Sequence, residues 1–209
     1  MVDGISLPNI QAVIFDWGGI LIENPSDAIL AFCGRALNVA PSILSSVLQE
    51  HEPPFQTNAI TEDQFWERVC ATLKVPKPFH RSLWDEALRD AYRPRHEVFE
   101  LVGKLRGAGY RTALLSNTEM PAVEIYREKH DGTFDVVVLS CLEGIRKPDR
   151  QIYHRTVERL KVMPEKSLLL DDRIENIEGA KRAGLNAFLC ASVKEIMDAV
   201  HTFQLITSP

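Results

Sequence analysis

The second half of the chain alternates between two hydrophobic patterns. Short apolar runs at residues 112–116, 136–139, 167–170 and 187–189 carry no polar side chain at every second position. A strand with one wet face alternates in polarity, so these runs predict strands buried on both faces. Between and after them, residues 96–106, 123–129, 152–160, 174–183 and 193–200 place apolar side chains three and four apart, the period of a helix with one buried stripe. Gly107, Gly109 and Gly184 punctuate helix ends. Strands alternating with amphipathic helices imply parallel pairing through crossovers, with helices on both faces of the sheet.

The first half reads differently. One apolar run, residues 12–15, stands alone and is followed by a glycine-containing turn over residues 17–25. From residue 26 to about 92 only the helical period recurs, as in Ile29, Leu30 and Cys33, then Ile43, Leu44, Val47 and Leu48. Residues 63–73 predict an amphipathic helix with Thr61 as its N-cap. The pairs Pro53-Pro54 and Pro76/Pro78 break the region into pieces. The predicted fold class is therefore α/β, a doubly wound (Rossmann-like) parallel sheet. Residues 1–22 and 93–209 form the core, and residues 23–92 an inserted small α-helical cap.

Composition narrows the function. A net charge of −5 without basic runs argues against nucleic acid or an anionic membrane surface as partner. No apolar stretch approaches the roughly 20 residues of a membrane span, and the first residues, with Asp3, lack the basic n-region of a secretory signal. Cys33, Cys70, Cys141 and Cys190 are far apart, without CxxC or zinc-ligand spacing, and read as reduced buried thiols. The six histidines form no ligand pattern. The expectation is a cytoplasmic protein.

Chemistry-bearing residues gather at the ends of the predicted strands. Asp16 follows residues 12–15 and precedes Gly18-Gly19, Ser116 ends the second run, Lys147 follows the third, and Asp171-Asp172 close the fourth. In sheets of this class ligands bind outside the carboxyl ends of the strands. Singly, each residue has an ordinary role: a turn, a helix cap, a solvated loop, an anion pair favoured by a helix N-terminus. Together they point to one site.

In this order and at these spacings, Phe15-Asp16-Trp17-Gly18-Gly19, Leu114-Leu115-Ser116-Asn117, Arg146-Lys147-Pro148-Asp149 and the segment from Leu170-Asp171-Asp172 to Gly179-Ala180 resemble the haloacid dehalogenase superfamily, in the subfamily whose small helical cap follows the first strand. The resemblance runs from about residue 12 to 189. It implies a phosphohydrolase acting on a small phosphorylated metabolite, with Asp16 as nucleophile forming an aspartyl-phosphate. It implies Ser116 and the Asn117 N–H as phosphate donors and Lys147 as the cation facing phosphoryl oxygens. Mg²⁺ would be held by Asp16, a Gly18 backbone carbonyl, Asp172, and Asp171 either directly or through its neighbours.

One position departs from the pattern. Most phosphatases of this family carry a second Asp two residues after the nucleophile, where this chain has Gly18. That Asp protonates the leaving oxygen, and such groups typically contribute about 10²–10⁴ in rate. Three outcomes are open: a phosphatase for leaving groups that need little protonation, such as a sugar 1-phosphate or an acyl phosphate; a metal-free 2-haloacid dehalogenase, against which the Asp171-Asp172 pair counts; and a non-catalytic phospho-ligand or protein binder. Glu23 is the nearest acid after the turn and the candidate replacement. Phe55, Phe65, Trp66 and Trp84 either line a pocket or fill the cap's own core, and Arg146 and Arg173 are expected at the surface.

Overall fold

The computed structural model describes residues 9–205, so the segment containing Asp3 lies outside the described residues. Five strands form one parallel sheet: β1 (Ala12–Phe15), β2 (Arg111–Ser116), β3 (Val136–Leu139), β4 (Ser167–Asp171) and β5 (Asn186–Leu189), in spatial order β3-β2-β1-β4-β5. Each coincides with a predicted apolar run, extended by a residue or not at all. β1 is central. The chain builds outward through β2 and β3 on one side, then returns to place β4 and β5 on the other. Connections leaving in opposite directions open a crevice at the carboxyl ends of β1 and β4. The register sets Phe15 opposite both Leu114 and Leu170, and the Asp16 N–H donates to Leu170 O at 3.0 Å. Asp16 thus stands at the lip of that crevice.

Helices cover both faces. Val13, Phe15, Leu114, Leu168 and Leu170 share one apolar cluster with α5 (His96–Gly107), α6 (Met120–His130) and α10 (Val193–Thr202). The alternate residues Ala12, Ile14, Ala113, Leu115 and Leu169 share another with α8 (Arg150–Leu160) and α9 (Ile174–Arg182). This period-two division of the strands' apolar residues is what two covered faces require. A four-residue helix, α7 (Ser140–Glu143), follows β3.

Between β1 and α5 run α1 (Ser26–Leu37), α2 (Pro41–Gln56), α3 (Glu62–Leu73) and α4 (Leu83–Ala91). They bury a third cluster of their own, with Leu44, Phe55, Phe65 and Trp84 at its centre. Phe55 stacks on Phe65 at 4.4 Å, and Trp84 meets both rings edge-on at 5.5 and 5.4 Å. Thr61 caps α3 as its sequence predicts, and Gln64 returns a bond to the Thr61 N–H at 3.0 Å. Pro53-Pro54, by contrast, does not break a helix: both lie in the last turn of α2. Two ladder donors are lost, but the helix runs only two residues further, and burial of Phe55 holds that turn. No single helix among the described residues is long and apolar enough to cross a membrane.

Candidate active site

Adjacent strands deliver the acidic and hydroxyl groups, and a loop delivers the ammonium between them. Lys147 is 1% exposed; its Nζ lies 2.8 Å from Asp16 Oδ1 and 2.6 Å from Asp171 Oδ2, and donates to Leu115 O at 2.9 Å. All three ammonium hydrogens therefore have an acceptor. The Lys147 backbone is clamped from β2: Asn117 Nδ2 donates to Lys147 O at 2.9 Å, and the Lys147 N–H donates to Asn117 Oδ1 at 2.8 Å. Ser116 is buried, and its hydroxyl makes only a long 3.4 Å bond to Asn117 O.

Asp171 is wholly buried and saturated. Beyond Lys147 it accepts from the Arg173 N–H at 3.0 Å and from Asn176 Nδ2 at 2.9 and 3.1 Å. Asp172 is half-buried and carries one bond, from Asn24 Nδ2 at 3.1 Å. Burial pushes Asp16 up to about 7, with Lys147 pulling against it and Asp171 adding to the rise. Burial and the neighbouring Asp171 also raise Asp172. Burial alone would depress Lys147, but the Asp16 and Asp171 carboxylates reverse that and hold it above the ordinary lysine range.

Asp16, Asp171 and Asp172 each offer an oxygen within 4.8 Å of the others. Three carboxylates against the single ammonium of Lys147 leave two negative charges, the deficit a divalent cation makes good. Oxygen donors of this kind suit a hard ion. The turn between them is tight. Gly19 has φ +81°, and a Cβ there would overlap the Asp172 carboxylate. Gly19→Ala is therefore expected to cost about 1–2 kcal/mol in urea unfolding. By displacing Asp172 it would also weaken divalent-ion affinity by roughly tenfold to a hundredfold, read by calorimetric titration.

Asp16, Gly18, Ser116, Asn117, Lys147 and Asp172 line one cavity of about 660 Å³, roofed by α1, α2 and α4. Asp171 lies behind Lys147 rather than on that lining. Glu23 is exposed and does not line the cavity. Of the four aromatics, only Trp84 does; Phe55, Phe65 and Trp66 fill the core of α1–α4. Arg146, half-buried, and Arg173, exposed as expected, both border it. Glu52, Gln56 and Glu119 also line the wall and carry no sequence pattern that marks them. For Glu119 the available signal was its place three residues after Ser116. For Asn176 it was its place inside the fourth segment.

Residues 10–184 match the family described as hydrolase, haloacid dehalogenase-like hydrolase. The chain belongs to that family. This hydrolase is 31% identical over 189 residues to mouse acyl-CoA dehydrogenase family member 10, a match covering 84% of this chain but 17% of that protein. It is 25% identical over 178 residues to sesquiterpene phosphatase astK of Aspergillus oryzae, covering 84% of this chain and 87% of that one. Among solved structures, HAD family enzyme bt-2542 of Bacteroides thetaiotaomicron, in complex with magnesium and inorganic phosphate, superposes with a TM-score of 0.71 at 20% identity, over 86% of this chain and 93% of that one.

Proposed function

We propose that this hydrolase is a Mg²⁺-dependent phosphatase of a small phosphorylated metabolite, working through an aspartyl-phosphate on Asp16. The observation that carries the reading is the Lys147 ammonium held 2.8 Å from Asp16 and 2.6 Å from Asp171 at the ends of adjacent strands. Relatives named as phosphatases and a solved neighbour holding magnesium and phosphate support it. Asp16, Asp172 and the Gly18 carbonyl would hold the ion. Asp171, with both oxygens already accepting hydrogen bonds, acts through charge and by fixing Lys147. The bound ion supplies Lewis acidity that offsets repulsion between a carboxylate and a phosphate dianion.

The chain's own groups do the rest. Lys147 holds Asp16 Oδ1, leaving the other oxygen to attack phosphorus. An O–P bond to Asp16 forms as the ester O–P bond breaks, and Ser116, the Asn117 N–H and Lys147 face the charge on the phosphoryl oxygens. Water then attacks the aspartyl-phosphate at phosphorus and regenerates the carboxylate. With Gly18 in place of an acid, the leaving oxygen departs as its anion and takes its proton from solvent water. Leaving groups of low basicity are therefore favoured. We place residues 23–92 as the cap that closes over the site and excludes water.

Exhaustive treatment with EDTA is expected to remove acetyl phosphate hydrolysis, and added Mg²⁺ to restore it while raising the melting temperature. Full turnover after chelation, or chelator-resistant halide release from 2-chloropropionate, would contradict the reading and favour the dehalogenase.

A further inference from the structure

The loop after β2, with its proposed phosphate donors, is fastened to α2 and α4 as well as to the core. On the core side, Asn117 holds both backbone groups of Lys147. The next two residues face the other way. Glu119 accepts from Trp84 Nε1 on α4 at 3.0 Å. The Thr118 N–H donates to Ser140 Oγ at 2.9 Å, and that hydroxyl donates in turn to Gln56 O, at the end of α2, at 2.6 Å. Thr118, Glu119, Ser140, Gln56 and Trp84 are all buried. A bond lost here without replacement leaves a desolvated group, which is costly.

The sheet places Ser140. β2 pairs with β3 so that Ser116 lies opposite Leu139, and Ser140 follows as the first residue of α7. Its hydroxyl offers one proton and two lone pairs. One lone pair takes the Thr118 N–H. The proton has two acceptors in reach, Gln56 O at 2.6 Å and Thr118 O at 3.1 Å. The shorter contact lies within the ordinary O–H···O range and the longer just beyond it, so the proton belongs to Gln56 O while α2 is docked. If α2 moves off, the proton turns to Thr118 O and stays bonded. Gln56 O, the last carbonyl of its helix, then meets water. The junction can part without stranding a buried donor.

The Thr118 N–H and the Asn117 C=O belong to one planar peptide unit. Asn117 O is the acceptor of the Ser116 hydroxyl, at 3.4 Å. Fixing the N–H on Ser140 therefore fixes the carbonyl that aims Ser116. We propose that Ser140 is a positioning residue for the phosphoryl group. With α2 docked on its hydroxyl, residues 116–119 hold Ser116 and the Asn117 N–H in the phosphate-binding arrangement; undocking of α2 releases them. The proposal rests on the phosphatase reading above. By linkage, bound phosphate favours the docking of α2 by the same factor that docking favours phosphate.

Calorimetric titration with Mg²⁺ alone, then with inorganic phosphate at saturating Mg²⁺, separates the two ligands. Ser140→Ala is expected to weaken phosphate binding about tenfold, the loss of a buried hydrogen-bond pair. Mg²⁺ affinity should not change, because Ser140 makes no hydrogen bond to Asp16, Gly18 or Asp172. Ser140→Cys, with a weaker donor and acceptor in nearly the same volume, should fall between the two. It carries the test if the alanine variant does not melt cooperatively. Hydrogen exchange supplies a readout that a lost packing contact would not move. Phosphate with Mg²⁺ should slow amide exchange across residues 50–60 in the wild type, and not in Ser140→Ala. Unchanged phosphate affinity in a folded variant overturns the proposal, as does phosphate protection of residues 50–60 that survives the substitution. Equal weakening of Mg²⁺ and phosphate also overturns it, since Ser140 would then be a general structural group. In each of these cases wild-type binding of both ions leaves the phosphatase reading standing. If the wild type binds neither ion, that reading falls as well.

Discussion

Asp16→Asn leaves a folded protein that hydrolyses phosphomonoesters at least about 10⁴-fold more slowly, because an amide oxygen does not displace an alkoxide from phosphorus. The same change is expected to stabilise the metal-free protein. Burial holds Asp16 up at about 7, well above its ordinary value of 3.8. A carboxyl raised in the folded state favours folding while it is protonated in both states. That advantage is lost as pH climbs from near 4, where the unfolded chain ionises, to near 7, where the folded one does. Without a cation, the Asn variant should therefore melt above the wild type at pH 8, and the gap should close toward pH 4. Added Mg²⁺ should raise the wild type more than the variant. A variant that loses activity and also melts lower at every pH would mean that Asp16 is a structural group.

Lys147→Ala carries the second large effect. The substitution strips the buried ammonium from between two buried carboxylates. Breaking a buried pair from one side costs about 3–5 kcal/mol, because the charges left behind have neither water nor a partner. Urea unfolding of the metal-free variant should register a loss of that order, shrinking as the pH is lowered and the carboxyls take up protons. Saturating Mg²⁺ should recover part of it. Activity should fall by roughly a further 10²–10³ at saturating metal, the loss of one positioned charge at a developing phosphoryl anion. If stability were unchanged, the Lys147 side chain would have to stand in water.

The sheet and the site residues were legible in the sequence for a common physical reason. Strands covered on both faces must be apolar throughout, so a polar residue closing such a run marks the sheet's edge, and Asp16, Ser116 and Asp171 each do so. Gly18-Gly19 reads as a turn, and the overlap a side chain at Gly19 would create with Asp172 explains why one must be there. Lys147 was legible only through the segment around it, since its burial depends on Asn117 clamping both of its backbone groups.

The far wall of the cavity was not legible. Glu52 and Gln56 sit on α2 at positions that look like any solvated helical face. Gln56 becomes buried and Glu52 half-buried because α2 docks over the strand ends. One buried link of that docking is made by Ser140, whose hydroxyl accepts from the Thr118 N–H at 2.9 Å and donates to Gln56 O at 2.6 Å. Ser140 opens α7, a helix of four residues and too short to announce itself by periodicity. Pro53-Pro54 misled for a related reason: a proline's local cost is visible in the sequence, and the packing of Phe55 that outweighs it is not.

The central claim is a covalent bond between Asp16 and phosphorus, and borohydride trapping reads that bond directly. The enzyme is quenched with sodium borohydride during steady turnover of acetyl phosphate with Mg²⁺, then digested and sequenced by mass spectrometry. An acyl phosphate is reduced to the alcohol, so homoserine should appear at position 16, and only when both substrate and Mg²⁺ are present. Continued phosphate release with position 16 recovered entirely as Asp would contradict the account.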